Sequence, residues 1–321
     1  MPPLSILIVG GGVAGNALAI LLMLLRLPAK DLPIVTMVER SGASRSYGQN
    51  IDIRGTGIDI LRKLGVEDQI RDATTREEGV RIVDERNRIW AEMAADKTGE
   101  VQTGTSDVEI LRGRLTEILT RRTIELSEKV KRRGGNGVEI LTREWLSTLD
   151  QDGEKVRVSF AKSGEKREFD LVVGADGLQS LTKKMTWGAE DDAARLNRIG
   201  AYGAFFSMPK GDTDGMWRRW YHAPGRRSIM VRPSDQPDRS TVFMIVINDT
   251  DPRFRDIAKP GGNSAAEQKA LLDEYFIDAG WESERIIAEM NASEDFYYDM
   301  VAQVKMDSWS RGRIVLLGDA G

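Results

Sequence analysis

Three glycines and one carboxylate carry the clearest chemistry in this chain. Gly10, Gly12 and Gly15 stand at G-x-G-x-x-G spacing, with Val13 and Ala14 inside it, and Glu39 closes the next apolar run. The first glycine permits a tight turn, the second lets backbone approach a diphosphate, and the third lets a helix pack against a strand. A helix start offers free N–H groups and a positive dipole end to an anion. A carboxylate at the following strand end can accept both hydroxyls of an adenosine ribose, and it repels a 2′-phosphate. The chemistry is dinucleotide binding, with NAD or FAD preferred to NADP in this pocket. A glycine-rich turn in some other α/β domain would leave the acid without a purpose.

Other chemistries lack their residues. His222 is the only histidine and there is no cysteine, so no cluster has metal-ligand spacing and no thiolate or disulfide chemistry is open. A Ser-His-Asp hydrolase would depend on His222, and no G-x-S-x-G elbow exists. The 46 basic and 50 acidic residues leave a net charge of −4, opposite to the basic surplus of a nucleic-acid binder. The basic run 129–133 reads as a solvated helix end. Hydrophobic content of 40% and charged content of 30% fit a soluble globular chain. The longest apolar run, 17–25, is too short to cross a bilayer. The first strand begins almost at the N-terminus, so the expectation is no leader peptide, no transmembrane segment and a cytoplasmic location. At 321 residues there is room for two domains.

The elements that must position these residues follow an α/β pattern. Residues 6–9 and 34–38 read as buried strands, with a buried helix over 17–25. Residues 42–57 read as a loop leading to a short strand, 56–64 as a helix closed by Gly65, and 79–90 as a hairpin. Glu109 opens the next helix. From Val138 the period becomes two, which predicts a small antiparallel meander (138–142, 144–149, 155–160, 168–173) feeding a parallel strand, 171–173. That strand ends in Gly174-Ala175-Asp176-Gly177, with Ser180 and Lys183 on a following helix. Residues 201–207, 217–222, 228–232 and 241–247 are aromatic-rich strands and suggest a second domain on an antiparallel sheet. A helix with a Ser264/Glu267 capping box spans 264–279, another spans 282–290, and a strand spans 300–306. Residues 312–319 return to the texture of the first domain and end in Gly318-Asp319.

Three signatures therefore stand in order: Gly10, Gly12 and Gly15 with Glu39-Arg40; Gly174-Ala175-Asp176-Gly177; and Gly318-Asp319. Together they resemble the single-component FAD-dependent aromatic hydroxylases, the group A flavoprotein monooxygenases typified by para-hydroxybenzoate hydroxylase. Residues 47–53 and 79–85 are most similar to the tetracycline-inactivating branch. The resemblance implies a Rossmann-like FAD-binding domain of the GR2 type (1–78, 108–195 and 306–321). An interleaved α+β substrate domain on an antiparallel sheet takes 79–107 and 196–305. It implies FAD held at its ADP half by Gly10, Gly12, Val13, Ala14, Gly15 and Glu39, with Arg40 beside the adenosine. Arg54 and Arg112 join the cofactor-binding set. Arg112 reads as a solvated surface arginine on composition alone, and the resemblance moves it to the flavin side. Asp176 and Gly177 are linked to FAD and to the nicotinamide cofactor, and Asp319 to the ribityl or diphosphate part. Lys183 stands where the family often has arginine.

The implied reaction uses NAD(P)H as a transient co-substrate, takes up O2 as a flavin C4a-hydroperoxide, and hydroxylates an aromatic or polyketide-like small molecule. The chemistry belongs to the flavin, so no catalytic side chain is expected. Tyr202, Phe206, His222 and Arg232 are substrate candidates on the second-domain sheet, each with ordinary strand packing or a surface position as its alternative. In the family, Gly-Asp-Ala leads to a loop over the flavin and a long helix; the expectation is that this C-terminal part is absent after Gly321, through either a fragment boundary or a natural truncation. An FAD-dependent reductase or dehydrogenase on the same fold, or a non-catalytic FAD-binding remnant, is the alternative reading.

Overall fold

The computed structural model of the chain describes residues 2–42, 49–98, 101, 103–188, 195–258 and 264–321. Part of the expected loop 42–57, and of the resemblance at 47–53, lies at residues 43–48, outside the described residues. The backbone divides into two compact units, 1–44 with 116–197 and 302–321, and 45–115 with 198–301.

The first unit is built on a six-stranded sheet in the order Ser310–Arg311, Ile314–Leu316, Leu171–Gly174, Ser5–Val9, Ile34–Glu39, Val138–Thr142. Every neighbouring pair is parallel except the first. Ser5–Val9 lies inside the sheet and is covered on both faces, which is why it is apolar from Ile6 onward; Leu7 and Ile8 are fully buried. Leu7 and Val9 pack with Leu146, Val158, Phe160 and Phe169 of a three-stranded antiparallel sheet, Leu146–Gln151, Val156–Phe160 and Lys166–Phe169. Ile8 meets the helix Val13–Met23, where a Cβ on Gly15 would lie 3.2 Å from the Ile8 Cγ2.

Two expectations change here. Val138–Thr142 is the parallel edge of the large sheet, paired with Ile34–Glu39, and not the first strand of the meander. An edge strand covered on one face alternates as a hairpin strand does, so its period could not separate the two. Residues 168–173 are two strands in different sheets, divided at Asp170. Its carboxylate accepts the Ser5 N–H and hydroxyl, both at 2.8 Å, and the Lys155 ammonium at 2.6 Å. The Lys155 hydrogen bond, with those from Ser5, holds the Asp170 carboxyl down at about 2.

The second unit carries a seven-stranded sheet in the order Tyr297–Val304, Leu196–Pro209, Arg239–Ile247, Arg227–Pro233, Trp217–Ala223, Gly79–Val83, Ile89–Ala94. Helices Ala265–Phe276 and Ser283–Ala292, with the short Pro252–Asp256, belong to this unit. The chain around them covers one face of the sheet: Tyr202 stacks on Phe254 at 5.4 Å, and the Tyr221 hydroxyl donates to the Ala279 carbonyl at 2.8 Å. The capping box at Ser264 and Glu267 is formed. Glu109–Leu111 is a strand, antiparallel to Asn50–Asp52, and not the opening of a helix; the helix is Arg112–Arg132. That pairing draws 45–78 and 108–115 into this unit, where the sequence grouped them with the first. Buried ion pairs add to it, Arg218 to Glu77 at 2.8 Å and Arg232 to Glu77 at 3.0 Å and to Glu109.

Candidate cofactor site

In the first unit the ends of four parallel strands gather around one turn. Val9 is in register with Val38 on one side and Gly174 on the other, and Gly174 is in register with Leu316. Backbone hydrogen bonds continue past the strands: Gly10 N–H to the Val38 carbonyl at 2.8 Å, Ala175 N–H to Val9 at 2.7 Å, and Leu317 N–H to Gly174 at 2.9 Å. Gly10 has φ +110°, and a Cβ there would sit 2.4 Å from the Ala175 carbonyl oxygen. At Gly15 a Cβ would lie 1.9 Å from the Gly10 oxygen. Both positions exclude any side chain. A Cβ on Gly12 would meet nothing within 4 Å among the described residues, which leave that side of the turn open. A Cβ on Gly318 would lie 3.1 Å from the Ala14 Cβ, which brings the Gly318–Ala320 turn to the helix start. Strand carboxyl ends meeting at a glycine turn are where open α/β sheets bind ligands.

The turn's hydrogen bonding is satisfied at Gly10 and Gly11 and left open at the helix start. Glu39, half-buried, accepts the Gly11 N–H at 2.8 Å and the Ser41 N–H at 2.7 Å. Each carboxylate oxygen keeps a second lone pair for an outside donor. Asn16, which sequence reasoning passed over, is 1% exposed and donates to the Gly11 carbonyl at 2.6 Å and the Gly12 carbonyl at 3.0 Å. The helix has no acidic residue in its first turn and no side-chain cap. Among the described residues, the N–H groups of Gly12, Val13 and Ala14 have no acceptor. Three free amides on the open side of a turn form a cradle for an anion.

The remaining expected residues divide by unit. Arg40 and Asp319 are exposed in the first. Asp176 lies at the same edge, but its carboxylate faces inward. One oxygen accepts the Ser180 hydroxyl at 2.6 Å, and the other accepts the Thr182 N–H at 2.9 Å and hydroxyl at 3.0 Å. It shapes the turn at Gly177 (φ +78°), while Ser180 caps the helix Leu181–Trp187 through the Lys183 N–H. Lys183 is 1% exposed, with its ammonium 3.3 Å from the Leu178 carbonyl. In the second unit Arg54 is half-buried, 3.7 Å from Asp52, and Arg112 is exposed at the start of its helix with its N–H on the Gln49 carbonyl at 2.9 Å.

The four substrate candidates do not share one surface. Tyr202 and Phe206 point to the covered face of the seven-stranded sheet and are 5% and 3% exposed, and burial raises the Tyr202 hydroxyl's pKa. Both are core residues, which corrects the sequence expectation. Arg232 and His222 lie on the opposite face with Trp220, Met230, Phe243 and Phe205. His222 is exposed beside Trp220 at 4.7 Å. Phe205 and Phe243, both half-buried, stack at 4.3 Å. Arg232 is committed to Glu77 and Glu109. Burial raises the proton affinity of Glu109, and Arg232 works against that. Strand parity explains the exchange: adjacent residues face opposite ways, so aromatic content alone cannot tell the open face from the closed one.

The family described as FAD binding domain matches residues 4–321. "FAD-dependent monooxygenase asL6" of Sarocladium schorii is 33% identical over 99% of this chain and 74% of its own length. A "Flavin-dependent monooxygenase" of Legionella longbeachae is 32% identical over 99% of this chain and 74% of its own. The crystal structure of tetracycline destructase Tet(51) superposes with a TM-score of 0.76 at 30% identity, covering 100% of this chain and 76% of that one.

Proposed function

The chain belongs to the FAD binding domain family and is an FAD-dependent monooxygenase, and from that premise we propose which residues do the work. The observation that carries the assignment is the gathering of the strand ends at Val9, Glu39, Gly174 and Leu316 around a turn with one open side. The residues there fit FAD: three amides at the helix start lack acceptors among the described residues, and a side chain at Gly12 would enter space that those residues leave open. The Gly12, Val13 and Ala14 N–H groups donate to the diphosphate, and Glu39 accepts the ribose hydroxyls through its spare lone pairs. Arg40 lies along the adenosine. Asp319 takes the ribityl hydroxyls, and Asp176 acts by holding the shape of the 174–180 turn.

Bound FAD supplies two-electron redox chemistry and, with electrons from NAD(P)H, the activation of O2 that places one oxygen atom on substrate and the other in water. The protein's part is to hold the cofactor, present a flat apolar wall to the substrate and keep water away. The open sheet face with Phe205, Phe243, Met230 and Trp220 is that wall, suited to a planar, fused-ring phenolic molecule. The solved relative whose name is tetracycline destructase supports this class.

The test begins with titration of purified chain with FAD, followed by flavin absorbance and fluorescence. NAD(P)H oxidation is then followed under isotopically labelled O2 with a panel of fused-ring phenols, tetracycline included. Label in an organic product is the expected result. NAD(P)H consumption yielding only hydrogen peroxide with every compound would move the assignment to a reductase. Absence of flavin binding would end it.

A further inference from the structure

Asn16 is an unusual residue for its position. It sits in the first turns of a packed helix, where its intrinsic preference is poor, and a polar amide buried to 1% exposure is costly unless every hydrogen bond is made. Here they are made. The Nδ2 group donates to the carbonyls of Gly11 (2.6 Å) and Gly12 (3.0 Å) and lies 3.2 Å from the Thr120 hydroxyl. The Oδ1 accepts the Thr123 hydroxyl at 2.9 Å. A donor facing two carbonyls and an acceptor facing a hydroxyl settle which way the amide lies.

The consequence lies in the peptide plane. In a trans peptide the C=O of one residue and the N–H of the next point in opposite directions. The Gly12 carbonyl is already held by the helix, through the Asn16 N–H at 3.1 Å. The Gly11 carbonyl has only the Asn16 side chain as partner among the described residues. Its peptide joins two glycines, which accept both signs of φ, so nothing in the local backbone opposes a flip. With the Gly11 carbonyl drawn inward, the Gly12 N–H points the opposite way, outward, and a Cβ on Gly12 would meet nothing among the described residues. A flipped peptide would turn a carbonyl oxygen toward that opening instead, against an anion.

We propose that Asn16 is a positioning residue for the cofactor's diphosphate: its side chain locks the Gly11–Gly12 peptide so that the Gly12 N–H faces the ligand, with Thr123 as the anchor behind it. This rests on the reading of the glycine turn as the FAD diphosphate site. The sequence gives Asn16 no signal, since one polar residue in an apolar helix has no motif to mark it.

The test compares wild type, Asn16→Leu and Thr123→Val as apoproteins, titrated with FAD, ADP and adenosine. Asn16→Leu is expected to weaken FAD and ADP by at least about tenfold, equivalent to 1.4 kcal/mol, and to leave adenosine within about twofold. Thr123→Val keeps the shape of the anchor and is expected to lose a smaller factor in the same two ligands. It serves alone if the leucine variant does not fold. Unchanged FAD and ADP affinity, or an equal loss with adenosine, would overturn the proposal, because the amide would then be a packing element. Failure of wild type to bind FAD would instead strike the cofactor assignment on which it stands.

Discussion

At the scale of single residues, the glycine turn separates folding from binding. Gly10→Ala puts a methyl group 2.4 Å from the Ala175 carbonyl at a φ of +110°. The expected cost is about 3 kcal/mol or more from strain and overlap, read as a lowered urea midpoint. Gly12→Ala meets no atom of the described residues within 4 Å. Its expected cost to stability is no more than about 1 kcal/mol, the difference between glycine and alanine at a helix start. Its FAD affinity is expected to fall by at least about tenfold, because the methyl group occupies the side the diphosphate needs. The glycines were legible because each answers a steric demand that no other residue type meets. Asn16 was not legible, because its role is defined by carbonyls that only the folded turn brings within reach. Tyr202 and Phe206 take the ordinary strand packing that was their alternative reading, a matter of strand parity that the sequence alone leaves open until the covering helices are in place.

At the scale of elements, two junctions decide how strands are shared among sheets. Asp170 sits between the antiparallel sheet and the parallel one, tied to Ser5 and Lys155. Its carboxyl lies at about 2 against an ordinary 3.8, so the ionised form stabilises the fold. That contribution is fully present above about pH 4 and is lost as pH falls toward 2. Asp170→Asn is expected to lower stability at pH 7 by on the order of 1 kcal/mol, since solvent screens part of the pairing. Wild type and variant should converge as pH approaches 2 in acid-dependent urea melts. The second junction is the buried set Glu77, Glu109, Arg218 and Arg232, which binds Glu109–Leu111 to the seven-stranded sheet. Glu109→Ala leaves two buried guanidiniums with one carboxylate and is expected to cost about 3–5 kcal/mol, with Glu109→Gln milder, by thermal unfolding. Neither junction shows in hydrophobic periodicity. Asp170 reads as a break too small to divide a strand, and a three-residue strand such as Glu109–Leu111 is shorter than any window that detects a period.

At the scale of the whole molecule, both units are discontinuous in sequence. Ser5–Val9 takes one neighbour from Ile34–Glu39 and the other from Leu171–Gly174. A fragment ending at residue 165 therefore lacks one flank of the strand that bears the glycine turn, and the Ala175 backbone against which Gly10 rests. Such a fragment is expected to show no flavin binding and little protection of the 5–9 amides from hydrogen exchange, and the whole chain is expected to show both. The parallel order of the first sheet and the mainly antiparallel order of the second were largely legible, because buried parallel strands and aromatic-rich alternating ones differ in composition; the parallel pairing of Trp217–Ala223 with Gly79–Val83 was not.

The contact between Gly10 and Ala175 also sets a timetable. On the ribosome, the turn emerges first and its supporting backbone some 165 residues later, at roughly 5–20 residues per second. For that interval the nascent chain carries an apolar strand with an open edge and no means of capturing its coenzyme. Loading is thus a late event in biosynthesis, and the early polypeptide is the species that chaperones must shelter.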